Sequence, residues 1–138
     1  MPQRDLDHDV VVRALEKDGW TITDDPFRLE YGRRNLYVDL GAENLLAAEK
    51  AQRRIAVEIK GFAGTSDMRD LEVALGQYIL YRDVLAELEP DRTLHLAIPV
   101  FAYEEVFSDK LGQLVIRQQQ LRLIVYKDEE QEIVRWLP

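Results

Sequence analysis

Apolar residues recur along the chain with two periods, near 3.6 and 2, and the change from one to the other predicts an ordered series of helices and strands. Val10, Val11, Ala14 and Leu15 form a helically spaced stripe over residues 5–18, with Asp5 or Asp7 suited to the positive N-terminus and Gly19 to the stop. Residues 20–23 alternate as a strand until Asp24-Asp25-Pro26 halts it. Residues 36–40 read as a second strand, and residues 55–60 as the clearest one. Residues 45–49 fit either a strand or a helical turn, ahead of a polar turn at 50–54. After a loop at 61–64, Ser66 is placed to cap a helix reaching about Glu87. Its expected buried face is Met68, Leu71, Ala74, Leu75, Tyr78, Tyr81 and Leu85, with Asp67 and Asp70 in the first turn. Residues 93–99 predict another strand, 100–119 one or two short helices, and 121–126 with 132–137 a hairpin around the polar 127–131 turn. Strands on both sides of central helices predict an α/β sandwich with a mixed sheet.

Composition narrows this picture. The chain has 138 residues, 46% of them hydrophobic, which suits one domain over 1–138 with its own core. No apolar run approaches the ~18–20 residues of a membrane span, and the first residues open no signal peptide, so a cytoplasmic place and no membrane partner are expected. The absence of cysteine excludes disulfides, thiolate catalysis and Cys-type metal sites. Lys and Arg number 18 against 26 Asp and Glu, a net charge of −8. A protein that coats DNA by counterion release carries the opposite sign, so any nucleic-acid role must rest on a local basic patch, metal ions or a partner.

Candidate chemistry concentrates on the 55–60 strand. Strand alternation puts Ile55, Val57 and Ile59 on one face and Ala56, Glu58 and Lys60 on the other. Glu58 and Lys60 therefore stand about 7 Å apart and point the same way, with open space expected beside Ala56. Such a pair suits a carboxylate on a hard cation and an ammonium facing a phosphate or a water, although Glu-x-Lys alone more often marks an exposed strand face. Asp39, nineteen residues earlier, is close enough in sequence to reach the site from a neighbouring strand. Two carboxylates on adjacent strands can share one Mg²⁺. Gln77 and Tyr81 lie four apart on one helix face, where a glutamine can donate and accept at once. Gly76, in the helix interior, suggests close approach to the sheet. His8 and His95 are too few for a His-rich metal site, and His95 in a strand reads as structural. The 61–66 loop has the composition of a phosphate cradle, and also of an ordinary loop. Arg33-Arg34 and Arg53-Arg54 are basic pairs suited either to a phosphate path or to exposed turns. No Walker loop, dinucleotide fingerprint or serine elbow is present.

Asp39, then Glu58-x-Lys60, then Gln77-x-x-x-Tyr81 resembles the PD-(D/E)XK nuclease superfamily, the last element being associated with its RecB-like branch. Over nearly the whole chain the sequence is similar to the XisH family, named for controlling excision of the fdxN DNA element. The matching stretches include Lys17-Asp18-Gly19-Trp20-Thr21-Ile22-Thr23, Leu36-Tyr37-Val38-Asp39-Leu40-Gly41-Ala42-Glu43, Ile55-Ala56-Val57-Glu58-Ile59-Lys60 and Ala74-Leu75-Gly76-Gln77-Tyr78-Ile79-Leu80-Tyr81. The resemblance implies a restriction-endonuclease-like α/β/α sandwich, with Asp39 and Glu58 as ligands of Mg²⁺ or Mn²⁺, the Ile59 carbonyl as a further ligand and Lys60 as the catalytic lysine. It implies that Gln77 orients the site and that Tyr81 packs behind it or touches nucleic acid. A first-helix acid is often added in relatives; Asp9, ten residues before Gly19, takes that place, with Glu16 second. Glu43 and Glu49 compete with Asp39 for the metal. Val38 stands where the strict superfamily pattern has proline.

Two functions follow as expectations. One is metal-dependent phosphodiester hydrolysis in DNA element excision, with a partner subunit. The other is a non-catalytic regulatory protein that keeps the nuclease fold and acts through that partner. The resemblance implies an XisI-like protein as partner, DNA engaged weakly by the chain alone, and a possible homodimer.

Overall fold

The computed structural model describes residues 3–46 and 51–138. Helix α1 (Gln3–Lys17) ends where Gly19 takes a φ of 95°, a conformation that a side chain would resist. β1 (Thr21–Asp24) follows, and then a feature the alternation pattern had not separated. β2 (Phe27–Tyr31) and β3 (Arg34–Val38) pair with each other in a hairpin of their own, turned at Gly32 with φ 61°. β4 (Leu40–Leu46) and β5 (Ala51–Ile59) form the next antiparallel pair. The expected strand over 36–40 is thus two strands in two sheets. The expected turn at 50–54 is, from Ala51 onward, the first half of β5. The alternative at 45–49 resolves as strand for Leu45 and Leu46; the remainder lies outside the described residues.

Ser66 does cap α2 (Asp67–Leu88), its hydroxyl accepting the Arg69 N–H at 3.2 Å. The helix carries the chain across to β6 (Arg92–Pro99), parallel to β5 as such a crossover permits. A short helix α3 (Val100–Ala102) runs into a π-helical turn (Tyr103–Phe107). α4 (Lys110–Gln119), capped by Asp109, leads to β7 (Leu123–Lys127) and β8 (Glu132–Leu137). The main sheet has the order β1-β4-β5-β6-β7-β8, with β5, β6 and β7 parallel and the rest antiparallel. This is the expected α/β/α sandwich around a mixed sheet.

Each face of the sheet has its own core, and strand parity assigns the residues. Ala56, Leu94, Leu96, Ile98, Leu123 and Val125 pack under Leu71, Ala74, Tyr78 and Leu85 of α2 and beside Phe27, Leu29 and Val38 of the hairpin. Ile55, Val57, Ala97, Ile124 and Tyr126 pack under Val11 and Leu15 of α1 with Trp20. Ala56 leaves no open space, being fully buried. Met68 is half exposed rather than on the buried face of α2, and Gly76 faces solvent with nothing near it, so it marks no close approach to the sheet. Among the described residues no helix is long and apolar enough to cross a membrane.

Candidate functional site

At the C-terminal end of β5 the antiparallel ladder to β4 runs out, and side chains take over its hydrogen bonding. Leu40 is the last β4 residue in register, opposite Val57. Asp39 sits in the bend before it, the single residue between β3 and β4. Its backbone N–H donates to Glu58 Oε1 at 3.2 Å, and its Oδ2 accepts the Ile59 N–H at 2.8 Å. Glu58 thereby satisfies the backbone N–H of Asp39, and Asp39 that of the residue after Glu58, as a buried strand end requires. Both are nearly buried, Asp39 at 8% exposure and Glu58 at 6%. The two side chains are fixed relative to each other by the backbone, not by mutual attraction. On its other side the strand end continues to β6, where the Lys60 N–H donates to Ala97 O at 2.9 Å.

Lys60 extends from this end toward α2, its Nζ 3.9 Å from Asp70 Oδ1. Asp70 is held in turn by the Gly64 N–H at 3.0 Å. From the opposite face α1 delivers Asp7, only 5% exposed. Asp7 comes so near Gly61 that a methyl there would overlap Oδ2 and stand 2.9 Å from Cγ. Gly64 is crowded in the same way, a Cβ on it falling 2.9 Å from both Asp70 oxygens. The glycines of this loop therefore make room for two carboxylates. Behind Asp7 lies fully buried Tyr126, whose hydroxyl is pushed above the usual phenol range by burial and by the Asp7 and Asp128 charges. Asp7, Asp39, Glu58, Lys60, Asp70 and Gln77 line one pocket of about 240 Å³, together with Ile59 and the loop. It opens at the carboxyl end of a parallel strand, where ligands of open α/β sheets characteristically bind.

Of the residues expected from sequence, Asp39, Glu58, Lys60 and Gln77 meet in this pocket. Tyr81 does not line it; the ring packs against the core on the α2 side. Asp9 is exposed and absent from the pocket, as is Glu16. The acid that α1 supplies is Asp7, two residues and roughly 200° around the helix from Asp9. Glu43 is engaged elsewhere on β4, accepting from Gln52 Nε2 at 2.6 Å, and Glu49 lies outside the described residues. Asp70 was legible only as a first-turn helix acid, and its seat on Gly64 gives it a second role. His95 is structural, buried against Trp136 and bonded to Thr93 Oγ1 at 2.9 Å. Burial, with lesser contributions from Arg122 and Arg53, lowers its pKa to about 3. His8 pairs with exposed Asp25.

Among the described residues no three carboxylate or imidazole side chains gather closely enough to enclose a metal ion by themselves. Mg²⁺ demands less, taking one or two carboxylates and completing its shell with waters and substrate phosphates. Asp39 and Glu58 meet that requirement. Four carboxylates, Asp7, Asp39, Glu58 and Asp70, line the pocket with the Lys60 ammonium, a donor set of the hard-oxygen kind that could hold such a cation.

The profile of the XisH family, described as XisH protein, matches residues 1–134. Among solved structures, an fdxN element excision controlling factor protein from Anabaena variabilis is 39% identical, with a TM-score of 0.89 over 98% of this chain and 100% of that one. An XisH family protein from Nostoc punctiforme PCC 73102 is 36% identical, with a TM-score of 0.88 over 97% of this chain and 100% of that one. No curated protein matches.

Proposed function

The chain belongs to the XisH family, and on that premise we propose that it acts in element excision as a metal-dependent, endonuclease-like subunit that hydrolyses a phosphodiester with a partner. The description of the Anabaena relative as an fdxN element excision controlling factor supports the biological setting. One observation carries the chemistry: Asp39 and Glu58, locked through backbone N–H groups, share a pocket with Lys60 and Gln77. That combination is the one the PD-(D/E)XK resemblance implies.

In this reading Asp39 and Glu58 hold Mg²⁺ or Mn²⁺, with Asp7 on the same pocket wall. The bound cation supplies Lewis-acid polarisation of the phosphate and a lowered pKa for a coordinated water. Lys60 sets its ammonium against the negative charge that grows on the phosphoryl oxygens, and Asp70 restrains that ammonium in place. The Gln77 amide can accept from a water while donating to a phosphoryl oxygen, which orients both. A net charge of −8 opposes unaided DNA binding, so the positive surface is assigned to an XisI-like partner, with a second copy of the chain as a further possible component.

The test is cleavage of supercoiled and single-stranded DNA in Mn²⁺, with and without the co-purified XisI-like protein. Hydrolysis is expected to be lost in a Glu58→Ala, Lys60→Ala double variant; hydrolysis retained there would refute the assigned site. The same acidity favours a second reading, a regulatory protein that keeps the nuclease fold and works through its partner. Excision in cells that persists with the double variant, alongside unchanged partner binding, would select that reading.

A further inference from the structure

The basic pair Arg53-Arg54 does not flank the carboxylate pocket. It lies toward the other end of β5, four residues or roughly 13 Å before Glu58. At that end the start of β6 brings Arg92, the residue ahead of β7 brings Arg122, and the later turns of α2 bring Arg82. The three line a second pocket of about 210 Å³ with Tyr78, Thr93 and Gln120, and among its described lining residues none is acidic. In a chain of net charge −8 this is a local reversal of sign. Two carboxylates offset it in part: Glu89, divided between Arg92 at 3.1 Å and Arg54 at 3.5 Å, and exposed Asp83, 4.0 Å from Arg82 Nε.

Two of these guanidiniums are already fixed. Arg92, 7% exposed, donates from Nη1 to Ile55 O at 2.9 Å and lies 4.4 Å over the Phe27 ring. Arg82 donates from Nη1 to Gln119 O at 2.6 Å and lies 5.6 Å over the Tyr78 ring. The bond to Gln119 serves a carbonyl at the end of α4 that has no partner within the helix. It also means that the side-chain entropy normally lost on gripping a ligand has been lost on folding. Arg122 differs: its backbone N–H is tied to the Tyr78 hydroxyl at 3.1 Å, while the residue is exposed at the pocket mouth. Arg92 spends its Nε on Glu89 and an Nη1 hydrogen on Ile55 O, and Arg82 an Nη1 hydrogen on Gln119 O, so the donors left for a phosphoryl group are the remaining Nη groups of these two and the whole fork of Arg122.

We propose that this pocket is a phosphate-binding site, distinct from the carboxylate pocket, for a phosphomonoester or pyrophosphate group. The group comes either as a free anion or on a nucleotide. The test is calorimetric titration of the full chain in EDTA with inorganic pyrophosphate and, separately, with thymidine 5′-monophosphate. Saturable one-to-one binding is expected, weakened at least tenfold in Arg122→Gln and unchanged in Lys60→Ala. The tighter of the two probes identifies the source of the phosphate. Arg122→Gln keeps the backbone bond to Tyr78, so it retains the fold, which far-UV circular dichroism checks. Absence of binding by both probes, or loss in Lys60→Ala with retention in Arg122→Gln, overturns the proposal.

Discussion

The contact between Gly61 and Asp7 can be tested by a substitution whose sign depends on its background. Gly61 does not occupy the left-handed region, so its backbone accepts alanine. On that ground alone Gly61→Ala would stabilise the protein by about 0.4–1 kcal/mol, by restricting the unfolded chain. The folded state opposes this. The new methyl overlaps Asp7 Oδ2 and lies 2.9 Å from Cγ, and Asp7, 5% exposed with Tyr126 behind it, has little room to withdraw. Overpacking at such a site costs about 1–3 kcal/mol, so the net expectation is destabilisation of roughly 1–2 kcal/mol. In an Asp7→Ala background the obstruction is gone, and Gly61→Ala should become stabilising by about 0.4–1 kcal/mol. The double-mutant cycle then has a coupling of roughly 2 kcal/mol, as expected for residues in direct contact. Urea unfolding of the four proteins, with a common m-value, measures it. A Gly61→Ala variant that is stabilised in the native background, or whose cost is the same with Asp7 absent, would show that Asp7 is not seated on this glycine.

Three further outcomes are expected. His95 is held neutral in the fold with a pKa of about 3 against 6.5 unfolded, so the unfolded chain binds more protons between those values; stability should fall as pH drops from about 6.5 toward 3. A His95→Leu variant should flatten that slope in urea melts at stepped pH, and an unchanged slope would assign it to other groups. Ser66→Ala removes the hydroxyl that accepts the Arg69 N–H and should cost about 1 kcal/mol by the same measurement. Calorimetric titration with Mn²⁺ should give micromolar to sub-millimolar binding (about −5 to −8 kcal/mol), lost in Glu58→Ala; equal heats in both proteins would remove Glu58 from the metal site.

Features that depend on local chemistry were legible in the sequence. Ser66 and the acids after it announce α2, and the period of two along β5 puts Glu58 and Lys60 on one side. What escaped depends on contacts distant in sequence. Residues 36–40 read as one strand because Leu36, Val38 and Leu40 are apolar and alternate correctly around Asp39. The partners of the last two, Phe27 and Val57, belong to different sheets, and nothing local reveals that. The identity of the first-helix acid was within reach. Asp7, Val11 and Leu15 are spaced four apart on one α1 face, and the burial of the last two carries the first inward. Asp9 lies off that stripe. Asp70 sits in the first turn of α2, where the helix dipole already accounts for it, and Asp7 reads the same way only when α1 is begun at residue 5 instead of Gln3. The loop glycines that seat them gave no sequence signal beyond their presence.

The joint at Asp39 also has a mechanical meaning. Val38 closes the hairpin and Leu40 opens the main sheet, so the chain has no slack on either side of the residue between them. The position of the hairpin therefore fixes a backbone that donates to Glu58 while its own carboxylate accepts from Ile59, so both halves of the lock are set together. The far end of the hairpin is moored to α2 by the Tyr31 hydroxyl on Glu87, and Tyr37 stands half exposed on its outer side. The hairpin is thus held at both ends, by Phe27, Leu29 and Val38 in the core and by Tyr31 on α2, and it serves as a brace that sets where a pocket carboxylate stands.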